Sequence, residues 1–494
     1  MSYKVFSSLG DPVFRVLDLN RYRERNTRID QRPEYMSAKK QKSYALEVTL
    51  VVLAIVCAFV TQTVIKNANP PEVENIPTGD KVAIEEFLAE AQGVEETVIK
   101  KEDAVPREYH PHLSDLASEP DWTQLDQFQY TISREDFERE LEEVYTINGK
   151  WKDWVTTTDE SALIRMSAAD GTKLYELFFA SEVKNERPPK YWRNRDELIV
   201  QEPNKPLLGL RIVIDPGHIG GKYAKVEERE FFHKDSPPVK EGNLTLKVAK
   251  LLAKQLETLG AQVTLTREYL KPVNNKRTED YHHFAYSKLR KKNLWATPLS
   301  ITKASEKLFY RKGEIRERAK HINNDYRPDL VLCLHFNAGS KSEELIQDEH
   351  FHMILNGAYM DGEVAKDDQR FMMMQRVLQR IHPEEARLSA YAADAFTAHT
   401  GLKPYQYDPN SKRALNVDKN PYLWARNLAA NRSYLCPVVF YEPYLMNGAD
   451  SHARIMQGDY EGLRYLNGML RPSIFREYVN AVTDGLVTYY ANRK

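Results

Sequence analysis

The chain has 494 residues, three of them cysteine, and a formal net charge of −1. Its 70 Lys and Arg nearly balance 71 Asp and Glu, which argues against nucleic acid as the main partner. Three cysteines exclude a disulfide scaffold and a four-thiolate zinc module. A mean hydropathy of −0.60 excludes a polytopic membrane protein but is compatible with a single span.

Residues 1–43 form a basic tail with ten Lys and Arg against five Asp and Glu. The stretch 44–66 that follows holds an uncharged run of 18 residues, Val48 to Ile65, bounded by Glu47 and Lys66. A bilayer core needs roughly 17–25 such residues, so the run predicts one transmembrane anchor. The flanking positive charge keeps the N-terminus in the cytoplasm and exports everything beyond residue 66. The tail is too long for an ordinary signal-peptide n-region. Residues 67–125 are acidic and punctuated by Pro70, Pro71, Pro77, Pro106, Pro111 and Pro120, which predicts a linker. As a flexible coil, ~50 residues would span ~40 Å.

Residues 126–207 predict a small α+β module. Ser133, followed by Glu135, Asp136 and Glu138, has the pattern of an N-cap with an acidic first turn. Strand-like pieces follow at 151–158, 162–166 and 174–180. Their aromatic residues suit packing against the next domain better than a binding role.

From residue 208 to 494, strands and helices alternate. Strands are expected at 210–215, 262–266, 330–336, 351–355 and 437–442. Helices are expected at 243–259, 313–324, 368–381 and 473–491, with Gly260 as a C-cap. This alternation predicts an α/β domain with a central, mostly parallel or mixed sheet flanked by helices, a phosphorylase/hydrolase-like arrangement. Ligands in such sheets gather at the carboxyl ends of strands. Three strand ends carry polar residues that a core does not need. They are Asp215-Pro216-Gly217-His218, His335-Phe336-Asn337 and Glu442, and Glu241 stands just before the first long helix. Two histidines and a carboxylate suit Zn²⁺, and a separate carboxylate nearby suits a general base. Any one of them alone would be an ordinary structural residue. Their joint placement carries the reading.

These blocks resemble the zinc-dependent N-acetylmuramoyl-L-alanine amidases of the amidase-3 type, bacterial cell-wall hydrolases. RIVIDPGHIGG is similar to the family's strand and glycine turn. VKEGNLTLKVAKLLAKQLETLGAQVTLTR, IRERAKHINNDYRPDLVLCLHFNAG and CPVVFYEPYLMNGAD follow in the family's order. The resemblance implies Zn²⁺ held by His218, Glu241 and His335, with Glu442 as the catalytic carboxylate. It implies cleavage of the amide between N-acetylmuramic acid and L-alanine by zinc-activated water. Asp215 and Asn337 are candidates to orient a ligand histidine, and local turn hydrogen bonding is the equal alternative. Peptidoglycan is the expected substrate, and activator or division proteins are candidate partners. The expected location is the bacterial inner membrane, with the catalytic domain in the periplasm. Two rival readings are a zinc amidase or peptidase acting on another cell-wall amide, and a non-catalytic wall-binding scaffold.

The departures from the family pattern surround the expected site. Ile219 interrupts the glycine turn, Tyr223–Lys240 is a charged loop, Tyr269–Lys312 is an insertion, and the span from His335 to Glu442 is long. By the same resemblance, residues 368–400 offer Glu384, Glu385 and His399 as caps over the metal. A surface insertion that recognises glycan or peptide is the preferred alternative. Cys333 and Cys436 are expected as buried thiols, with a disulfide between them as the alternative.

Overall fold

A computed structural model describes residues 104–181, 188–198, 202–339, 344–408 and 413–491. The expected anchor and basic tail lie outside them. Among the described residues, no helix is long and apolar enough to cross a membrane.

Three strands make the small module: β1 (Val155–Thr157), β2 (Ser161–Arg165) and β3 (Leu174–Phe178), antiparallel in that order. Ser133 caps the helix Arg134–Glu140, its hydroxyl accepting from the Asp136 N–H, as its spacing predicts. The module shares its core with the next domain. Phe128, Phe137, Trp151 and Leu177 pack in one cluster with Tyr359, Phe371, Met374 and Leu378. The aromatic residues of 151–179 therefore serve packing.

Arg211–Pro216 (β4), the short hairpin Glu230–Phe231 (β5) with Val239–Lys240 (β6), Gln262–Leu265 (β7) and Leu330–Leu334 (β8) open the large domain. His350–Leu355 (β9), Lys403–Pro404 (β10), Leu415–Asn416 (β11), Leu423–Ala425 (β12) and Val438–Glu442 (β13) follow. The main sheet runs β11-β12-β9-β13-β8-β4-β7, with β10 also paired to β9. The four strands β13, β8, β4 and β7 are mutually parallel, and β9 enters antiparallel to β13. The sheet is thus mixed around a parallel centre.

The apolar runs in these strands are explained by burial on both faces. Ile212, Ile214, Leu330, Leu332, Leu334, Val439 and Tyr441 face one core, beneath the helices Glu241–Thr258, Ile381–Thr400 and Ile474–Ala491. Val213, Val331, Cys333, Val438 and Phe440 face the other, with Ala319, Ile322 and Tyr434. Adjacent residues alternate between faces, as strand geometry requires. Cys333 and Cys436 are buried free thiols, so the disulfide alternative is not realised.

Two stretches differ from their sequence expectations. Residues 104–121, within the expected linker, pack on the catalytic unit. Leu113 and Leu116 are buried, the Tyr109 N–H donates to Ser287 Oγ at 3.1 Å, and the Ser114 N–H donates to Asp368 Oδ1 at 2.7 Å. The segment 368–400 is part of the core, not a surface insertion. Its buried Arg376 and Glu385 pair at 2.5 Å, and Glu385 also accepts the Val438 N–H of β13 at 3.0 Å. Glu384 accepts from Tyr489 at 2.8 Å, and His399 meets Asp484 at 2.7 Å. These three proposed caps are engaged with two neighbouring helices and with β13, so they do not cover the metal-type cluster.

Candidate active site

Parallel register brings the chemistry to one edge. Leu334 of β8 pairs with Pro216 of β4 on one side and with Tyr441 of β13 on the other. The next residues are His335 and Glu442, so two predicted site residues leave adjacent strands together. The His335 N–H donates to the Tyr441 carbonyl at 3.2 Å, and the Phe440 ring stacks on His335 at 4.6 Å.

His218 reaches the same place through a tight turn. Its backbone is left-handed, φ 58°, which costs a β-carbon residue on the order of 1–3 kcal/mol. The turn closes because two glycines permit contacts that no side chain allows. A Cβ on Gly217 would sit 2.3 Å from the His335 ring, and one on Gly242 would sit 2.3 Å from the Gly220 nitrogen. The second contact presses the His218 turn against the helix that starts at Glu241. Arg267 Nη2 ties these two segments by donating to the carbonyls of Gly217 (3.2 Å) and Gly242 (2.8 Å).

The three side chains meet as the sequence predicts. His218 Nε2 lies 3.2 Å from Glu241 Oε2, and His335 Nδ1 lies 2.9 Å from Glu241 Oε1. One ligand-type atom from each residue falls within 4.8 Å of the others. Two imidazoles and a buried carboxylate at this spacing fit a divalent ion of the zinc class. Burial opposes charge on both His218 and Glu241. Their attraction outweighs it, lifting His218 to about 9 and holding Glu241 well below the usual carboxylate range, where His335 also contributes. Glu442 differs: burial dominates and, with the nearby Glu241 charge, raises its carboxyl above the usual value against the pull of His335, His218 and Arg229. A carboxyl tuned upward beside a metal-type cluster suits a group that takes and returns a proton.

The sequence profile described as N-acetylmuramoyl-L-alanine amidase (Amidase_3) matches residues 212–462. The chain belongs to this amidase family. Solved structures similar to it include the amidase Ami1 from Mycobacterium abscessus, at 19% identity over 57% of this chain and 99% of that one, with a TM-score of 0.31. Ami1 from Mycobacterium smegmatis is 14% identical over 58% of this chain and 99% of that one, with a TM-score of 0.32. The CwlD amidase from Clostridioides difficile, solved with the GerS lipoprotein, is 14% identical over 57% of this chain and 99% of that one, with a TM-score of 0.32. No curated protein matches the chain.

The two candidate orienting residues of this amidase work elsewhere. Asp215 accepts from Thr266 Oγ1 (2.6 Å), Arg318 Nη1 (2.9 Å) and the Tyr434 hydroxyl (2.7 Å). Asn337 Oδ1 accepts the Ala338 N–H at 2.8 Å, the local turn bonding that was the alternative for it. Among the described hydrogen bonds, neither reaches a ring nitrogen of His218 or His335. Asp215 acts one step back, through Arg318, whose Nη2 donates to the His218 carbonyl at 3.1 Å.

The carboxylate that faces His218 is Glu227, from the charged loop Tyr223–Lys240. Its Oε1 lies 3.7 Å from His218 Nδ1, and it accepts the N–H groups of Ile219 and Gly220 at 3.0–3.2 Å. Burial raises its carboxyl, but His218 and these two donors hold it below the usual range. Ile219 thus gives the turn a donor and a fully buried side chain where a glycine was expected. Arg229 of the same loop stands 3.3 Å from His218 Nε2 at the mouth of the site. A carboxylate behind a ligand histidine typically changes metal affinity 10–100-fold. Glu227→Gln is therefore expected to weaken zinc binding by about that factor in a chelator competition, with folding retained. Unchanged affinity would show that Glu227 only closes the turn.

Beside Glu442 lies a groove of about 440 Å³, walled by Asn337, His350, His352, Tyr405, Tyr407 and Arg426 among others. His352 pairs with Glu442 across β9 and β13, and burial, with His350 and Arg426, pushes its ring down to about 3. Two imidazoles, two phenols and one guanidinium next to the Glu442 carboxyl give the groove hydrogen-bonding groups for a polar ligand.

Proposed function

We propose that this amidase is a membrane-anchored peptidoglycan hydrolase. It cleaves the amide between the lactyl group of N-acetylmuramic acid and L-alanine, with Zn²⁺ held by His218, Glu241 and His335. The observation that carries the reading is the convergence of these three ligand-type atoms within 4.8 Å, one strand away from Glu442. When bound, the ion supplies Lewis acidity that polarises the scissile carbonyl and lowers the pKa of water. The chain supplies the rest. A carboxylate oxygen of Glu442 takes the proton of the attacking water and returns it to the leaving L-alanine nitrogen. Glu227, Arg318 and Arg267 keep the His218 turn and the Glu241 helix in register. The groove beside Glu442 seats the stem peptide. The uncharged run Val48–Ile65 and the basic tail before it support anchoring in the inner membrane, with the catalytic domain outside the cytoplasm.

Metal removal tests the zinc assignment. The purified full-length chain is expected to carry about one zinc, to lose amidase activity on chelation and to regain it with added Zn²⁺. Full activity in a metal-free preparation would overturn the assignment.

A further inference from the structure

Arg316 lies on the side of the helix Glu314–Lys320 away from Arg318 and faces a second cavity, of about 250 Å³, between this helix and the packed segment 109–115. Six cations line it: Lys288, Lys292, Lys312, Arg316, Lys366 and Arg432. The one acidic residue in its wall is Asp115. That carboxylate is engaged by Lys288 at 2.6 Å, and its backbone carbonyl accepts from Arg316 at 3.2 Å. Asp368, behind the wall, lies 3.8 Å from Arg316. Lys366 donates to the Pro111 carbonyl. Arg432 is buried, and its Nε has no hydrogen-bond partner.

Six cations thus face two carboxylates in a partly desolvated space. Arg432 is buried, Lys288, Arg316 and Lys366 are half-buried, and Lys292 and Lys312 close the exposed rim; the like charges repel one another, an arrangement that folding alone does not favour. Lys312 registers the strain. Burial pushes its ammonium down, and Arg432, Lys288 and Arg316 push it further against the pull of Asp115. Burial and Arg432 push Arg316 in the same direction, against the pull of Asp368 and Asp115.

We propose that this cavity is a binding site for a phosphate-class dianion. A dianion with several acceptor oxygens offsets more of the surplus charge than a single carboxylate does, and it can be held by Arg and Lys together. The volume suits a phosphomonoester or a pyrophosphate. Its source is a free phosphate or a lipid headgroup. The site is separate from the metal-type cluster. The helix that carries Arg316 on this cavity also carries Arg318, which donates to the His218 carbonyl.

Calorimetric titration of the full-length chain at constant ionic strength tests this. The probes are inorganic phosphate, pyrophosphate, dihexanoyl phosphatidic acid below its micelle concentration, and succinate. Saturable binding of at least one phosphate probe, with succinate at least about tenfold weaker, is the expected result. A preference between the free and lipid probes identifies the source. Lys312→Met is expected to weaken binding about tenfold or more while leaving the unliganded melting temperature equal or higher, because it removes a charge that Arg432, Lys288 and Arg316 repel. Lys292→Met, at an exposed rim position, gives a second variant of low folding risk. No binding by any phosphate probe, succinate binding as tight, or binding that survives in both variants would each overturn the proposal.

Discussion

Glu442→Gln is expected to lower kcat by about 10²–10⁴-fold, the range for loss of a positioned general acid–base group, while zinc content stays at the wild-type level. The separation of the two readouts follows from placement. Glu442 ends β13 and is not among the three residues whose ligand atoms converge. Burial and the charge of Glu241 raise its carboxyl above the usual range, which is the tuning a proton shuttle needs. Glutamine keeps the shape and removes the titratable oxygen. His335→Ala is the contrast, because it removes a ligand atom and is expected to lose metal and activity together. Zinc content is read by elemental analysis and kcat by release of stem peptide. A Glu442→Gln enzyme within about tenfold of wild type would show that the proton moves elsewhere.

Arg318→Met is expected to destabilise the fold by about 3–5 kcal/mol in denaturant unfolding, the cost of leaving buried charges unpaired. Arg318 is nearly fully buried and donates to Glu314 (2.8 Å), Asp215 (2.9 Å) and the carbonyls of Pro216 (2.9 Å) and His218 (3.1 Å). Its removal strands two buried carboxylates and frees the turn that presents His218. Adding Asp215→Asn is expected to recover part of the loss, since one of the stranded charges is then gone. Arg134 offers the surface comparison. Its pairs with Glu138 and Asp159 lie at the surface, and Arg134→Met is expected to cost far less than Arg318→Met. An Arg318→Met chain as stable as the Arg134→Met chain would refute the account of the buried network.

The parts legible in the sequence are those whose signal is local. The apolar runs of β4, β8 and β13 announce strands buried on both faces. The polar residues that end them announce a site, because parallel neighbours bring their carboxyl ends to one edge. Glu241 was readable from its place before an amphipathic helix. What escaped depends on contacts between distant segments. Glu227 sits among Glu228, Glu230 and Asp235 in a charged loop, and only its burial against the Ile219 and Gly220 N–H groups sets it apart. The stretch 368–400 reads as charged, but its charges are internal pairs such as Arg376 with Glu385. Residues 104–121 read as linker because their prolines and acids are visible, while the partners that fix them, Ser287 and Asp368, are far along the chain. The antiparallel entry of β9 beside β13 has no local signature at all.

Mass spectrometry of purified peptidoglycan digested by the full-length chain tests the central claim most directly. The predicted result is free stem peptides with an unblocked L-alanine N-terminus and glycan strands with an intact lactyl group. Both should be absent with Glu442→Gln or after chelation. Cleavage at a different amide, or the same products from the Glu442→Gln chain, would contradict it.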